Sequence, residues 1–380
     1  MDKSNKSGAE ALIHSLHLEG VDLVFGYPGG AALHIYDAIF NQNYVDHILV
    51  RHEQGAVHAA DGYARATGKP GVALVTSGPG ATNAITGLAT AYMDSTPIVV
   101  ISGQVKSNLI GTDSFQETDM IGVSRPIVKH SFLVQKAEDI PDIVKKAFHI
   151  ATTGRKGPVV IDIPKDFTDP EYKFEFSYPS EVNMRSYNPP KGADTSRIKE
   201  AADLIATAKK PVIYSGGGVN QNNASEELTA LAKLLNFPVT NTLMGLGAFP
   251  GSDSQFMGML GMHGTYQANM AMHNADLIIA VGARFDDRIT NDPKQFALSA
   301  KKIHIDVDPA SVSKIIHADV PIVGSAKESL TALIEELKSR DLKTNESAIS
   351  EWNQQIIDWR DAHGLNPVSY THLRAHETRE

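Results

Sequence analysis

Along most of this chain, short unbroken apolar runs alternate with longer stretches in which apolar residues return every third or fourth position. The runs predict buried strands, and the longer stretches predict helices with one apolar face. The pattern begins with a helix over 9–18, a strand over 23–25 that ends at Tyr27-Pro28-Gly29-Gly30, and a strand over 48–50. A helix follows over 51–68, then a strand at 72–76, a helix at 82–92, a strand at 98–102, a helix at 139–151 and a strand at 159–163. Strands and helices alternating in this way form a parallel sheet covered on both faces, with ligand-facing loops at its strand ends.

Residues 169–195 mix aromatic, proline and charged residues without a period and read as an ordered linker across the surface. Alternation then resumes. Strands are predicted at 211–214, 277–281, 303–307 and 322–324, a turn at Ser215-Gly216-Gly217-Gly218, and helices at 226–235 and 328–339. This is a second parallel α/β domain, similar in style to the first but not a repeat of it. The expected organisation is a first domain over 1–168, a linker over 169–195 and a second domain over 196–340. A charged connector follows over 341–366, with a helix around 352–360. The stretch PVSYTHLRAHETRE, residues 367–380, is basic and aperiodic. It reads either as a non-native tail of the kind left when adaptor DNA is translated or as a divergent terminus, and it is set aside from the fold.

A length of 380 residues suits two domains, each able to bury its own core. The formal charge of −9, with no basic patch, argues against a nucleic-acid partner. No apolar run is long enough to cross a bilayer, and the polar start MDKSNKSGAE is not a signal peptide. The absence of cysteine excludes disulfides and thiolate metal sites and fits a cytoplasmic protein.

The predicted helix over 51–68 is built almost wholly from small residues. Gly55, Ala59, Gly62 and Ala66 share one face, which admits another helix or a flat ligand closely. Glu53 sits in its first turn, where the helix dipole favours a negative charge. Read alone, it is either a first-turn acid or a carboxylate held at a close-packed, water-poor edge and ready for proton chemistry.

Three stretches, GYPGGAALHIYDAI at 26–39, RHEQGAVHAADGYARATGKPGV at 51–72 and TSGPGATNAITGLATAYMDS at 76–95, resemble the catalytic large subunits of the acetolactate (acetohydroxyacid) synthase family. GTDSFQETD, GPVVIDIPKD, TLMGLG, GMHGTYQAN and VGARFDDR continue the likeness in order, over most of residues 8–365. The resemblance implies a thiamine-diphosphate enzyme that decarboxylates pyruvate and ligates the hydroxyethyl unit to pyruvate or 2-oxobutyrate, in branched-chain amino-acid biosynthesis. It implies a thiamine pyrimidine-binding domain followed by a Rossmann-like FAD-binding domain. It also implies a homodimer or tetramer and a small regulatory subunit.

By this resemblance Glu53 bonds the aminopyrimidine of thiamine diphosphate and so promotes loss of the thiazolium proton. Gly29, Gly30 and Ala31 face the reacting carbonyl with backbone N–H groups, although a tight turn alone also selects glycine there. Pro79, in a Ser77-Gly78-Pro79-Gly80 turn that is not a Walker loop, lies near the pyrimidine. Phe115, Gln116 and Lys165 line the substrate channel, and Lys106 departs from the proline common in the family at the channel edge.

FAD is implied to be held by Arg155, Gly216, Gly217, Gly218, Thr242, Leu243, Met244, Met262, His263, Gly282, Arg284, Asp286, Arg288, Asp306, Val307 and Ser325. Guanidinium groups at Arg155 and Arg284 suit a diphosphate, and Asp306 at a strand end suits a ribose hydroxyl. The residues alone leave open that GARFDDR forms local ion pairs and that His263 is an ordinary half-buried histidine. Mg²⁺ binds, in the family, through a third domain with a Gly-Asp-Gly loop. That motif is absent from this sequence, so no metal ligand is assigned and the chain by itself is expected to be inactive. Two alternatives stay open: another FAD-carrying thiamine-diphosphate enzyme of the pyruvate oxidase or glyoxylate carboligase type, and a catalytically silent nucleotide-binding scaffold.

Overall fold

The computed structural model describes residues 4–190 and 192–365. The tail over 367–380 lies outside the described residues. The chain divides into two compact units between Pro189 and Pro190. The first opens with β1 (Asn5–Ser7), α1 (Gly8–Leu18), β2 (Leu23–Gly26), α2 (Leu33–Phe40), β3 (Asp46–Leu49) and α3 (Glu53–Thr67). It continues with β4 (Gly71–Val75), α4 (Pro79–Asn83), α5 (Ile85–Asp94), β5 (Ile98–Gln104) and α6 (Met120–Ser124). Then come β6 (His130–Leu133), α7 (Ile140–Thr152), β7 (Val159–Pro164) and β8 (Lys173–Glu175).

Six of these strands form an all-parallel sheet in the order β3-β2-β4-β5-β7-β6. Successive side chains on a strand face opposite ways. Val72 and Leu74 of β4 therefore join Leu12, Ile35 and Phe148 in one core, while Ala73 and Val75 join Val57, Ala60 and Leu88 in the other. The helix expected over 82–92 is instead two helices that meet at Ala84. A Cβ on Gly87 of α5 would lie 2.6 Å from Val57 Cβ, so α5 crosses α3 more closely than any side chain allows. β6 was not visible as an apolar run because it is an edge strand that includes His130 and Ser131.

Part of the predicted linker is tied to the first unit. β8 pairs antiparallel with β1. The Tyr178 hydroxyl donates to Glu19 Oε1 at 2.6 Å, and Tyr187 donates to the Thr153 carbonyl at 2.7 Å.

The second unit comprises α8 (Thr195–Thr207), β9 (Pro211–Ser215), α9 (Gly217–Gln221), α10 (Ser225–Leu235), β10 (Val239–Asn241) and β11 (Phe256–Met259). It goes on through α11 (Tyr266–Asn274), β12 (Leu277–Val281), α12 (Asp287–Thr290), β13 (Lys301–Asp306), β14 (Val320–Val323), α13 (Ala326–Ser339) and α14 (Glu346–His363). Its sheet is also all parallel, in the order β11-β10-β9-β12-β13-β14. The winding thus reverses between β9 and β12, and such a reversal opens a crevice at the strand C-termini.

The stretch expected to be a charged connector is the core-packed helix α14. Ile349, Trp352 and Ile356 recur on one face and are buried, and Trp352 Nε1 donates to the Pro211 carbonyl at 3.0 Å. Among the described residues, no helix is long and apolar enough to cross a membrane.

Candidate functional site

In the first unit the winding reverses between β2 and β4, and the loops that leave these strands carry most of the predicted catalytic residues. Glu53 opens α3 directly after its N-cap His52, whose Nδ1 accepts from Gln54 N. Glu53 as a residue is 8% exposed. Asn83 Nδ2 of α4 donates to Oε2 at 2.9 Å, while Oε1 carries no hydrogen bond among the described residues. A Cβ on Gly80 would stand 3.3 Å from that free oxygen, so the glycine keeps the space beside it open. The charge of Glu53 reaches its surroundings: burial, and then this carboxylate, raise the pKa of the Tyr36 hydroxyl.

Gly29 packs onto Thr76, whose side-chain atoms would lie 2.4 to 2.7 Å from any Cβ placed there. Thr76 Oγ1 also accepts the Ala31 N–H at 3.3 Å. Ala31 is therefore not a free backbone donor, contrary to the sequence expectation, whereas the N–H groups of Gly29 and Gly30 carry no bond among the described residues. Thr76 and Asn83 are the members of this cluster that sequence reasoning missed. Thr76 was detectable only as a polar end to an apolar strand, and Asn83 only as a poor helix former.

Gln116 is brought to the same crevice by its backbone. Gly78 adopts φ +59°, and a Cβ on it would meet the Gln116 carbonyl at 2.6 Å. Gln116 itself has φ +59°, and Phe115 beside it is 89% exposed. The loop is held from below by Gln104, whose Nε2 donates to the Thr118 carbonyl at 2.7 Å and to Asp162 Oδ2 at 3.0 Å. Asp162 is fully buried in β7, and its Oδ1 has no hydrogen-bond partner among the described residues. Burial above all, with Asp119 adding to it, pushes its pKa up to about 7. Lys165 lies at the far end of β7, at the start of the turn Lys165–Thr168, two strands along the sheet from β4.

Lys106 has φ −55°, and its N–H makes no hydrogen bond among the described residues. A proline fits both conditions. Lys106→Pro is expected to raise unfolding stability by about 0.4–1 kcal/mol through the unfolded chain. Chemical denaturation checks this, and a clear loss would mean that Val105 cannot adopt the extended backbone a following proline demands.

The small-residue face of α3 is mostly open among the described residues, with only Ala59 half-buried against the core. Gly55, Gly62 and Ala66 are exposed, and a Cβ on either glycine would meet nothing within 4 Å. The buried face is Ala56, Val57, Ala60 and Ala64.

In the second unit, most of the predicted flavin residues gather at the β9/β12 crevice. Gly216 and Gly218 follow β9, and Gly282 follows β12 with φ +58°. A Cβ on Gly216 would stand 2.2 Å from the Gly282 carbonyl oxygen, and one on Gly218 would stand 2.7 Å from Gly282 Cα. The Gly218 N–H donates to that same carbonyl at 3.0 Å. Only glycines let these two loops touch. Gly216→Ala is accordingly expected to destabilise the fold by about 1–3 kcal/mol, visible as a lowered melting temperature; an unchanged melt would show that the loops separate freely.

Thr242 caps the turn Leu243–Gly245, and Met244 packs against Gly217. The Met262 N–H donates to the Arg288 carbonyl at 3.0 Å, which joins that loop to the FDDR segment. Arg284 Nη2 pairs with Asp286 Oδ2 at 3.0 Å, so the local ion pair left open by the sequence is present. Desolvation partly opposes it, but backbone N–H donation from Arg288 and neighbouring charges leave the Asp286 pKa lowered. Asp306 ends β13, Val307 follows it half-buried, and Ser325 stands at the N-cap of α13. His263 is exposed, so it is not the ordinary half-buried histidine that the residues alone left open. Arg155 belongs to the first unit, where its Nε donates to Ser95 Oγ at 2.9 Å and its guanidinium lies 6.0 Å from the Tyr92 ring centre.

Two further residues shape this crevice and had no sequence signature. Phe285, between Arg284 and Asp286, adopts φ +55° although its ring is buried. His304 on β13 is fully buried, and its Nε2 meets the Ala283 carbonyl at 2.8 Å. Because a carbonyl only accepts, Nε2 carries the hydrogen. Burial drives the His304 pKa down to about 4, with the Ala283 bond opposing. No grouping of three or more acidic or histidine side chains that suits a metal ion occurs among the described residues.

Comparison with known proteins adds to this geometry. Residues 6–123 match the thiamine pyrophosphate enzyme N-terminal TPP binding domain, and residues 198–333 match the thiamine pyrophosphate enzyme central domain. The chain is 57% identical to an acetolactate synthase large subunit of Haemophilus influenzae over 354 residues, 93% of this chain and 62% of that protein. It is 56% identical to the acetolactate synthase isozyme 3 large subunit of Escherichia coli over 354 residues, again 93% and 62%. A probable acetolactate synthase large subunit of Methanocaldococcus jannaschii is 51% identical over 352 residues, 92% of this chain and 59% of that protein. The chain thus spans about three-fifths of the length of these relatives.

Proposed function

The chain belongs to the thiamine pyrophosphate enzyme family, and from that premise we propose that it carries the pyrimidine-binding and flavin-binding parts of an acetolactate synthase large subunit. The observation that carries the proposal is the Glu53 cluster: a buried carboxylate with one oxygen fixed by Asn83 and the other open to a glycine-lined crevice. That arrangement fits an aminopyrimidine ring, which needs one acid at its edge and no side chain in its plane.

Bound thiamine diphosphate supplies a nucleophilic carbon able to attack the carbonyl of a 2-oxo acid. Glu53 Oε1 would exchange a proton with the pyrimidine, and Asn83 orients the carboxylate for this. The free N–H groups of Gly29 and Gly30 stabilise negative charge on the substrate oxygen. Gln116 is set over Gly78 at the channel side, and Lys165 offers a cation to the carboxylate of pyruvate. The open face of Gly55, Gly62 and Ala66 receives the second copy that completes the site and excludes water. FAD lies in the β9/β12 crevice of a Rossmann-like domain, with Arg284 on its diphosphate and its role structural. 2-Oxobutyrate as the alternative acceptor, Mg²⁺ on the thiamine diphosphate and a small regulatory subunit complete the proposal.

The test joins this chain to the C-terminal part of one of its relatives and supplies pyruvate, thiamine diphosphate, Mg²⁺ and FAD. Acetolactate, read colorimetrically as acetoin, is the expected product. Its absence from a folded, flavin-loaded protein would overturn the reading.

A further inference from the structure

The loop from Gly282 to Asp286 has an unusual backbone. Two of its five residues are left-handed: Gly282, which tolerates this, and Phe285, which does not. A bulky residue persists in that region only where its surroundings over-determine it. Here the Phe285 ring is buried, with ring centres of Tyr214, His304 and Phe296 at 5.5, 5.2 and 5.9 Å. His304 meets it edge-on at 86°. The same His304 donates Nε2–H to the carbonyl of Ala283, two residues back along the loop. One fully buried side chain therefore fixes the loop twice, by a hydrogen bond to its backbone and by contact with its strained aromatic. With Ala283 O and the Phe285 ring turned inward, Arg284 and Asp286 are left partly exposed at the crevice, paired with each other. Among the described residues Nδ1 of His304 has no hydrogen-bond partner, so the ring's one hydrogen bond there is the one to the loop.

We propose that His304 is a positioning residue for nucleotide binding: through Ala283 and Phe285 it holds the loop in the conformation that presents Arg284 to the diphosphate of a flavin dinucleotide. This rests on the reading of the β9/β12 crevice as an FAD site. Asp306 Oδ2 stands 4.0 Å from the same Nε2, beyond hydrogen-bond reach, so the bond to Ala283 is what anchors the ring, and an apolar residue in its place would leave that carbonyl unpaired.

The test is FAD titration, followed by flavin fluorescence, on the chain and on His304→Leu, His304→Gln, Arg284→Ala and the His304→Leu/Arg284→Ala double variant. Leu removes the donor and should weaken FAD binding roughly tenfold. Gln places an amide N–H near the position of Nε2 and should stay within about threefold of the parent. In the double variant the two losses should fall well short of multiplying, because His304 acts through Arg284. Hydrogen exchange of the flavin-free protein should show faster exchange over residues 282–286 in the Leu variant and not in the Gln variant. Should the Leu variant not fold, His304→Asn, whose shorter amide cannot reach the Ala283 carbonyl, takes its place. Undiminished affinity on loss of the donor, or losses that multiply in full, would overturn the proposal while the FAD reading stands. Failure of the unmodified chain to bind FAD would remove both.

Discussion

Glu53→Gln is expected to lower acetolactate formation by roughly a hundredfold to ten-thousandfold, the usual contribution of a placed general acid–base. The substitution keeps shape and burial. The amide oxygen of glutamine still accepts from Asn83, so the contact that fixes the carboxylate to α4 survives. What changes is the atom facing Gly80: an NH₂ group, which cannot exchange a proton, replaces Oε1. The fold should be nearly indifferent, since Glu53 makes no ion pair among the described residues and its side chain sits at the edge of the core. The measurement is the colorimetric acetoin assay on the chain joined to a relative's C-terminal part, alongside a thermal melt. A variant as active as its parent would falsify the role of Glu53, and lost activity with a collapsed melt would reassign the residue to stability.

Arg284→Ala should weaken FAD binding by about 1.5–3 kcal/mol, roughly ten- to a hundredfold, through loss of a charge-assisted contact to the diphosphate. The structure supplies a competing account, because Arg284 already pairs with Asp286. The two accounts differ in size and in what they affect. The Arg284 and Asp286 side chains are 42% and 35% exposed, and a pair so open to water contributes at most about 1 kcal/mol to stability. If the pair is all that Arg284 makes, the variant loses a little stability and no affinity. If Arg284 holds the dinucleotide, affinity falls while the melting temperature of the flavin-free protein barely moves. Flavin fluorescence titration beside a melt separates them, and unchanged affinity would remove Arg284 from the site.

Much of this architecture was legible because parallel strands buried on both faces appear as unbroken apolar runs. β4 and β12 stand out on that ground alone, each being buried throughout. Glu53 was visible for a local reason, its place in the first turn of a helix of small residues. What escaped notice depends on partners distant in sequence. Thr76 matters because it meets Ala31, 45 residues away; Asn83 because it meets Glu53, 30 away; His304 because it meets Ala283, 21 away. No local pattern marks a polar residue whose partner is a strand or more distant. The reverse case is α3, where the period of small residues was read as a close-approach face. The chain packs its other face inward, because Val57 and its alanine neighbours bury more apolar area. α14 was misjudged because its charged residues outnumber the three apolar positions that decide where it packs.

Asp162 in the first unit and His304 in the second are both buried where the uncharged form is favoured, and the two are of opposite kind. Asp162 holds its proton up to about pH 7, whereas an unfolded aspartate releases it near 3.8. The first unit therefore gains stability from this residue in acid and loses it as pH rises from about 4 to 7. His304 refuses a proton down to about pH 4, whereas an unfolded histidine accepts one near 6.5. The second unit is fully supported by it above 6.5 and loses that support as pH falls towards 4. Each increment is on the order of 3–4 kcal/mol, a large share of a domain's net stability. As pH falls from about 7 towards 4, the contribution of Asp162 therefore grows while that of His304 shrinks, so the two buried groups answer the same protons in opposite directions.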